Sequence, residues 1–289
     1  MKLKNPFLRR SRSLSVAMLI LILIAAALGG CGRGGNSQAD GKVKVVTTFY
    51  PLYFFAQAIG GDDAHVVNLV PAGVEPHDWS PKSRDLKLAS DAQLFLYNGA
   101  GLEGWTDDFL KGLPSNGKPL RVEASKGIAL IEGPGEEAES SEDGHGHGHD
   151  EHGLSVDPHT WVSPKSALRM AENIRDAFIS ADAARRQAYE SRYEALMNKL
   201  TALDAEFTAA LAPYQGRDIV VSHQAFGYLC RDYGLHQTAV MGLSPDAEPR
   251  AQDMLNIIKF VKERQIKVIF FEELVSNSLA ETIASETDA

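Results

Sequence analysis

"VKVVTTFYPLYFFAQAIGGDDAHVVNLV", residues 43–70, reads as strand, helix, strand. Residues 43–49 are a short apolar, β-branched run of the kind that forms a buried strand. Pro51 then opens a helical run that Gly60-Gly61 closes. Residues 65–70 (HVVNLV) form the second strand. Parallel strands need a crossover, usually a helix, so the stretch predicts a βαβ unit.

The alternation extends along the chain. Residues 83–92 (SRDLKLASDA) read as helix, and 93–98 (QLFLYN) and 120–125 (LRVEAS) as strands. A helix follows Pro164 to about Ser180. A longer one runs from Asp182, a candidate N-cap, to Leu211. Its Tyr189, Tyr193, Leu196, Leu200, Leu203, Phe207 and Leu211 recur at spacings of three and four, one face of a helix of ~45 Å. After Pro213 come a strand (217–222), a helix (224–234), a strand (236–241), a helix (249–265), a strand (267–273) and a Ser-capped helical start (276–289). The predicted fold is α/β: two βα lobes with parallel sheets, 42–163 and 213–289, joined by a helical region, 164–212, that contains one long rigid helix. The second lobe is expected to be incomplete at its C-terminal end.

The N-terminus differs from the rest. Lys2, Lys4, Arg9, Arg10 and Arg12 precede an apolar run from Leu14 to Leu28, and L-G-G then meets Cys31. The run is too short to span a bilayer comfortably and reads as a secretory signal over 1–30. Its ending resembles a bacterial lipobox, which makes Cys31 a lipidation site and 31–41 a flexible tether. An ordinary signal with a coincidental cysteine is the plainer alternative, and Arg9-Arg10 raises a twin-arginine signal as another. Of the 29 Lys and Arg, five lie in residues 1–30, leaving 24 against 38 Asp and Glu, a net of −14 for the remainder. That balance excludes a nucleic-acid partner and suits a neighbour of cations. Cys230 is the only other cysteine, so neither a disulfide framework nor a thiolate-rich metal site is available.

Five of the nine histidines fall in 145–164, "HGHGHDEHGLSVDPHTWVSP". His145, His147, His149 and His152, spaced by Gly and flanked by acids, lie in a polar segment (132–156) that cannot bury a core. They make an adaptable metal-collecting loop without fixed geometry. His159 stands apart in D-P-H-T-W-V-S-P, and E-P-H-D-W-S-P (75–81) repeats that pattern around His77. Proline stiffens each loop, and the second Ser-Pro marks the helix that follows. A lone histidine in a Pro-rich loop is ordinarily just a polar loop residue, and the duplication argues for more. His223, in V-V-S-H-Q-A-F, directly follows a strand and opens a helix, where α/β sheets bind ligands. His77, His159 and His223 are therefore candidate ligands for a borderline cation. Glu75, water or a later carboxylate is the candidate fourth donor, and Asp78 and Asp157 are candidate acceptors that orient the rings. His65 and His236 carry no motif and read as structural, and Trp79 and Trp161 read as anchors for their loops.

In order, the lipobox, E-P-H-D-W, the acidic His-rich loop, D-P-H-x-W-x-S-P, the long helix, S-H-Q-A-F-G-Y-L and F-F-E-E-L-V-S resemble the zinc/manganese ABC-transporter solute-binding lipoproteins. The resemblance spans nearly all of the chain after the signal. It implies two βα lobes on a rigid helix, one metal between them, and His77, His159 and His223 as ligands. It also implies a zinc-type member, since manganese members tend to carry a carboxylate in place of the third histidine. The family's usual fourth carboxylate lies beyond a segment like F-F-E-E-L-V-S, where this sequence stops. The expected function is non-enzymatic: extracytoplasmic capture of Zn2+ by a lipid-anchored monomer, with delivery to an ABC importer permease. Alternatives are manganese specificity, a surface metal buffer, and a secreted zinc hydrolase with Glu75 as its base. The hydrolase reading lacks an H-E-x-x-H helix.

Overall fold

A computed structural model describes residues 41–133, 155–245, 249–274 and 276–289. By its internal contacts the chain divides into Met1–Gly41 and Lys42–Ala289, and every described element lies in the second unit. The predicted signal, Cys31, the tether up to residue 40, and His145, His147, His149 and His152 lie outside the described residues.

The opening stretch folds as read. Strand β1 (Val43–Thr47) leads into helix α1 (Tyr50–Gly60), and β2 (Ala64–Asn68) pairs parallel to β1. Pro51 sits in the first turn of α1, where its missing N–H costs nothing. Gly61, at φ +53°, turns the chain out of the helix through a conformation that side chains resist. Helix α2 (Ser83–Ser90), β3 (Leu94–Tyr97), helix α3 (Thr106–Gly112) and β4 (Leu120–Glu123) complete a parallel sheet of order β2-β1-β3-β4. Helix α3 was not expected from the sequence, because seven residues opening on Thr106, Asp107 and Asp108 carry no readable period.

Neighbouring side chains on these strands face opposite ways, and both faces are buried. Val45, Leu94 and Leu96 join one core with Leu52, Phe55 and Ile59 of α1. Val46 and Phe95 join a second with Ala89 of α2 and Phe109 of α3. Two covered faces explain strands that are apolar throughout rather than alternating.

Helix α4 (Pro164–Ala181) packs into the first core through Met170, Ile174 and Phe178, all fully buried. Each such side chain contributes about 1.5–3 kcal/mol relative to exposure. A 3-10 turn at Ala183–Arg185 then leads into α5 (Arg186–Leu211), 26 residues and about 39 Å long. Asp182 does not cap α5. It flanks the end of α4, and its carboxylate accepts from Arg185 and from the Tyr189 hydroxyl. Of the predicted α5 face, only Tyr189, Leu196 and Leu200 are buried. Beyond them Leu203 is 39% exposed, so the far half of α5 leaves the first core.

The far half meets the second half of the fold at helix α6 (Gly227–Tyr233). Phe207 lies against the Tyr233 ring, centroids 5.4 Å apart, and the Tyr233 hydroxyl donates to Asp204. Here β5 (Asp218–His223), β6 (His236–Met241) and a two-residue β7 (Ile269–Phe270) form a parallel sheet of order β6-β5-β7. Helices α7 (Ala251–Arg264) and α8 (Ser278–Ser285) cover it through Ile257, Val261 and Ile283. The strand expected over 267–273 shortens to two residues because only Val220 and Val221 of β5 pair with it. Among the described residues no helix is long and apolar enough to cross a membrane.

Candidate metal centre

Three imidazoles meet at the C-terminal ends of the strands. His77 Nε2 lies 3.1 Å from His159 Nε2, which lies 3.2 Å from His223 Nε2. Among the described residues, His77, His159 and His223 are the histidine, cysteine and carboxylate groups that converge in this way, with potential ligand atoms all within 4.8 Å of one another.

His159 is held most completely. It is 2% exposed. Asp157 Oδ1 accepts from the His159 amide at 2.9 Å and from ring Nδ1 at 2.8 Å, a turn that the intervening Pro158 stiffens. A carboxylate only accepts, so Nδ1 carries the proton and the neutral ring turns its lone pair inward at Nε2. Burial pushes the His159 imidazole below its ordinary value; Asp157 opposes that shift and His223 adds to it. The net direction favours the neutral ring that a cation requires.

The loop around it is tied from both halves of the fold. Asn98, at the end of β3, donates from its amide to the Pro158 carbonyl at 2.9 Å. The buried Glu103 carboxylate accepts from the Asn98 and Gly99 amides and from the Thr48 hydroxyl, fixing that strand end. From the other side, the fully buried Tyr228 of α6 donates to the Asp157 carbonyl at 2.7 Å and accepts from the Ile131 amide at 3.3 Å. Gly227 packs on Asp157 so closely that any Cβ there would collide with Oδ2. Residues 131–133 and 155–157 run antiparallel through a Glu132–Val156 bridge, and Gly133 donates to Ser155 at 2.9 Å.

His223 is 5% exposed and is the last residue of β5, with α6 opening only at Gly227, so it ends a strand rather than starting a helix. Its Nδ1 faces Glu272 Oε1 at 3.0 Å, and the other Glu272 oxygen takes the Ser222 hydroxyl. His77 is half-buried, and its amide approaches Glu75 Oε1 at 3.4 Å. Glu75 does not join the three-histidine group, and Asp78 is exposed. Trp161 packs edge-on against Phe49 at 4.7 Å, and Trp79 against Trp105 at 5.5 Å, so both tryptophans anchor their loops. His65 and His236 sit exposed on strands away from the cluster. Sequence reasoning missed Asn98, Gly227, Tyr228 and Glu272. Gly227 and Tyr228 lie inside the quoted S-H-Q-A-F-G-Y-L, and Glu272 inside F-F-E-E, but their partners are distant in sequence.

Fold and cluster define a class: an α/β protein that turns three imidazole nitrogens toward one point. Residues 45–289 match the family model described as ZnuA, zinc-uptake complex component A periplasmic, and the chain belongs to that family. It is 40% identical over 253 residues to the zinc-binding protein AdcA of Streptococcus pyogenes, covering 86% of this chain and 49% of that protein. It is 39% identical over 265 residues to the high-affinity zinc uptake system protein ZnuA of Bacillus subtilis, covering 91% of this chain and 82% of that one. The chain thus spans about half the length of the streptococcal relative it matches. Among solved structures, the Zn(II)-bound ZnuA-like domain of Streptococcus pneumoniae AdcA superposes with a TM-score of 0.69 at 35% identity, covering 85% of this chain and 84% of that one.

Proposed function

We propose that the chain captures Zn2+ outside the cytoplasm, at His77, His159 and His223, and hands it to an ABC importer permease. The observation that carries this reading is the spacing of the Nε2 atoms, 3.1 and 3.2 Å. Zn–N bonds of ~2.0–2.1 Å at a tetrahedral angle put ligand nitrogens about 3.3 Å apart, so both of these spacings already suit a tetrahedral ion. Three neutral imidazoles favour zinc over magnesium, calcium or manganese. A fourth donor completes the tetrahedron, with Glu75, water or a later carboxylate as the candidates. The work is binding and release, with no bond broken in a substrate.

The remaining parts of the proposal rest on the sequence. Lipidation at Cys31 anchors the chain to the outer face of the cell membrane, and stable anchoring takes more than one acyl chain. His145, His147, His149 and His152 collect metal ahead of the defined site.

Metal analysis of the purified protein under competing Zn2+ and Mn2+ tests the reading. The expected result is one tightly held Zn2+ that survives deletion of residues 136–152, while the total metal count falls. Tight binding that vanishes with the deletion, or a preference for Mn2+, would overturn it.

A further inference from the structure

We infer that Glu272 is a positioning residue for the centre: it fixes the His223 ring so that Nε2, and not Nδ1, is presented to the cation. This inference rests on the three-histidine reading and deepens it.

The sheet register delivers Glu272 to this place. Val220 pairs with Ile269 and Val221 with Phe270. Two residues beyond these pairs stand His223, the last residue of β5, and Glu272, just past the end of β7. Parallel strands rise together by ~3.3 Å per residue, so the pairing of β7 with β5 carries both residues toward the same end of the sheet. Glu272 Oε1 lies 3.0 Å from His223 Nδ1, and the Ser222 hydroxyl holds the other oxygen. Nδ1 and Oε1 are both buried, and neither makes an aligned hydrogen bond, to the other or to any other described group. Two such atoms left unpaired are costly, and at 3.0 Å a bond between them removes both costs. The carboxylate only accepts, so that bond requires a proton on Nδ1 and leaves the lone pair on Nε2.

His159 shows the same chemistry completed, with Asp157 on Nδ1 at 2.8 Å. Each half of the fold thereby supplies one carboxylate–imidazole pair, and the two negative charges stand behind rings that face a doubly charged ion. Such partners fix the tautomer and orientation of a ligating ring and raise its basicity. The difference is in origin. Asp157 belongs to the same loop as its histidine, whereas Glu272 comes from the edge of the second sheet. The orientation of His223 therefore depends on β7 staying paired to β5.

The test uses the full chain with labelled histidines, comparing wild type with Glu272→Ala, Glu272→Gln and His223→Ala. Long-range proton–nitrogen NMR of the metal-free protein reads the tautomer of each ring, and chelator competition reads Zn2+ affinity. Wild-type His223 should carry its proton on Nδ1. Glu272→Ala should shift His223 toward the Nε2–H form and weaken Zn2+ binding roughly 10–100-fold. Glu272→Gln, which keeps an acceptor oxygen, should restore the tautomer and most of the affinity. An unchanged tautomer and affinity in Glu272→Ala would overturn the inference. If Glu272→Ala does not fold, the wild-type spectrum decides alone, and an Nε2–H His223 there defeats the inference. Tight Zn2+ retained by His223→Ala would instead sink the three-histidine reading itself. Loss in His223→Ala without loss in Glu272→Ala would sink only the role of Glu272.

Discussion

The loops E-P-H-D-W and D-P-H-T-W share a pattern and present their histidines to one point, yet they are built differently. His159 is 2% exposed, and its acid partner holds both its amide and its ring at 2.8–2.9 Å. His77 is half-buried, and Glu75 approaches its amide at 3.4 Å. One methylene separates the two acids. The shorter Asp157 fits the tight turn around proline, and Asn98 and Tyr228 clamp that turn from either half of the fold. A repeated motif can therefore name two candidate ligands while the surrounding fold decides which is fixed in advance. Preorganisation of this kind lowers the ordering cost of binding, and the His159 loop carries most of it.

That contrast can be broken by experiment, beginning with the ligands. His159→Ala and His77→Ala should each abolish tight Zn2+ binding, and the residue of weak binding should be larger in His77→Ala, which keeps the buried pair His159 and His223. Calorimetry that ranks the two variants the other way would refute the contrast. The acids come next. Asp157→Ala should cost roughly 10–100-fold in affinity and Glu75→Ala distinctly less, both read by chelator competition.

Tyr228→Phe probes the clamp without touching a ligand. It leaves the Asp157 carbonyl and the Ile131 amide without their shared hydroxyl, so urea unfolding should show a loss of about 1–3 kcal/mol. An unchanged midpoint and slope would mean that the hydroxyl ties nothing. The smallest effect lies outside both loops, at Asp182. Burial raises this carboxyl, but hydrogen bonds from Arg185 and Tyr189 outweigh burial and hold it below its ordinary 3.8. Its contribution to stability is therefore present above that value and disappears as pH falls through the lower folded-state value. Asp182→Asn should be less stable than wild type at neutral pH, and unfolding curves of the two should converge in strong acid.

Much of this was legible from residue order. The apolar runs at 43–49 and 93–98 announced strands because both sheet faces are covered, and Pro51 and Gly61 punctuated α1 by backbone geometry alone. His77, His159 and His223 could be picked out because proline context and strand ends are local signals. What stayed hidden depends on register and on distant approach. Glu272 reaches His223 only through the pairing of β7 with β5, and Tyr228 reaches Asp157 across 71 positions. The far half of α5 has the spacing of a buried face, but its partners there are few, and Leu203 stays exposed. Periodicity reports which face is apolar and cannot report how far the neighbouring core extends.

The Glu132–Val156 bridge has a consequence for how this chain tolerates change. It brings the two ends of the intervening segment together immediately before the ring-holding Asp157–His159 turn. With the ends already joined, each doubling of the segment's length adds only about 0.6 kcal/mol of closure entropy. A change of length between residues 133 and 155 is thus expected to leave the His159 turn in place, which limited proteolysis and Zn2+ titration of deletion variants would check.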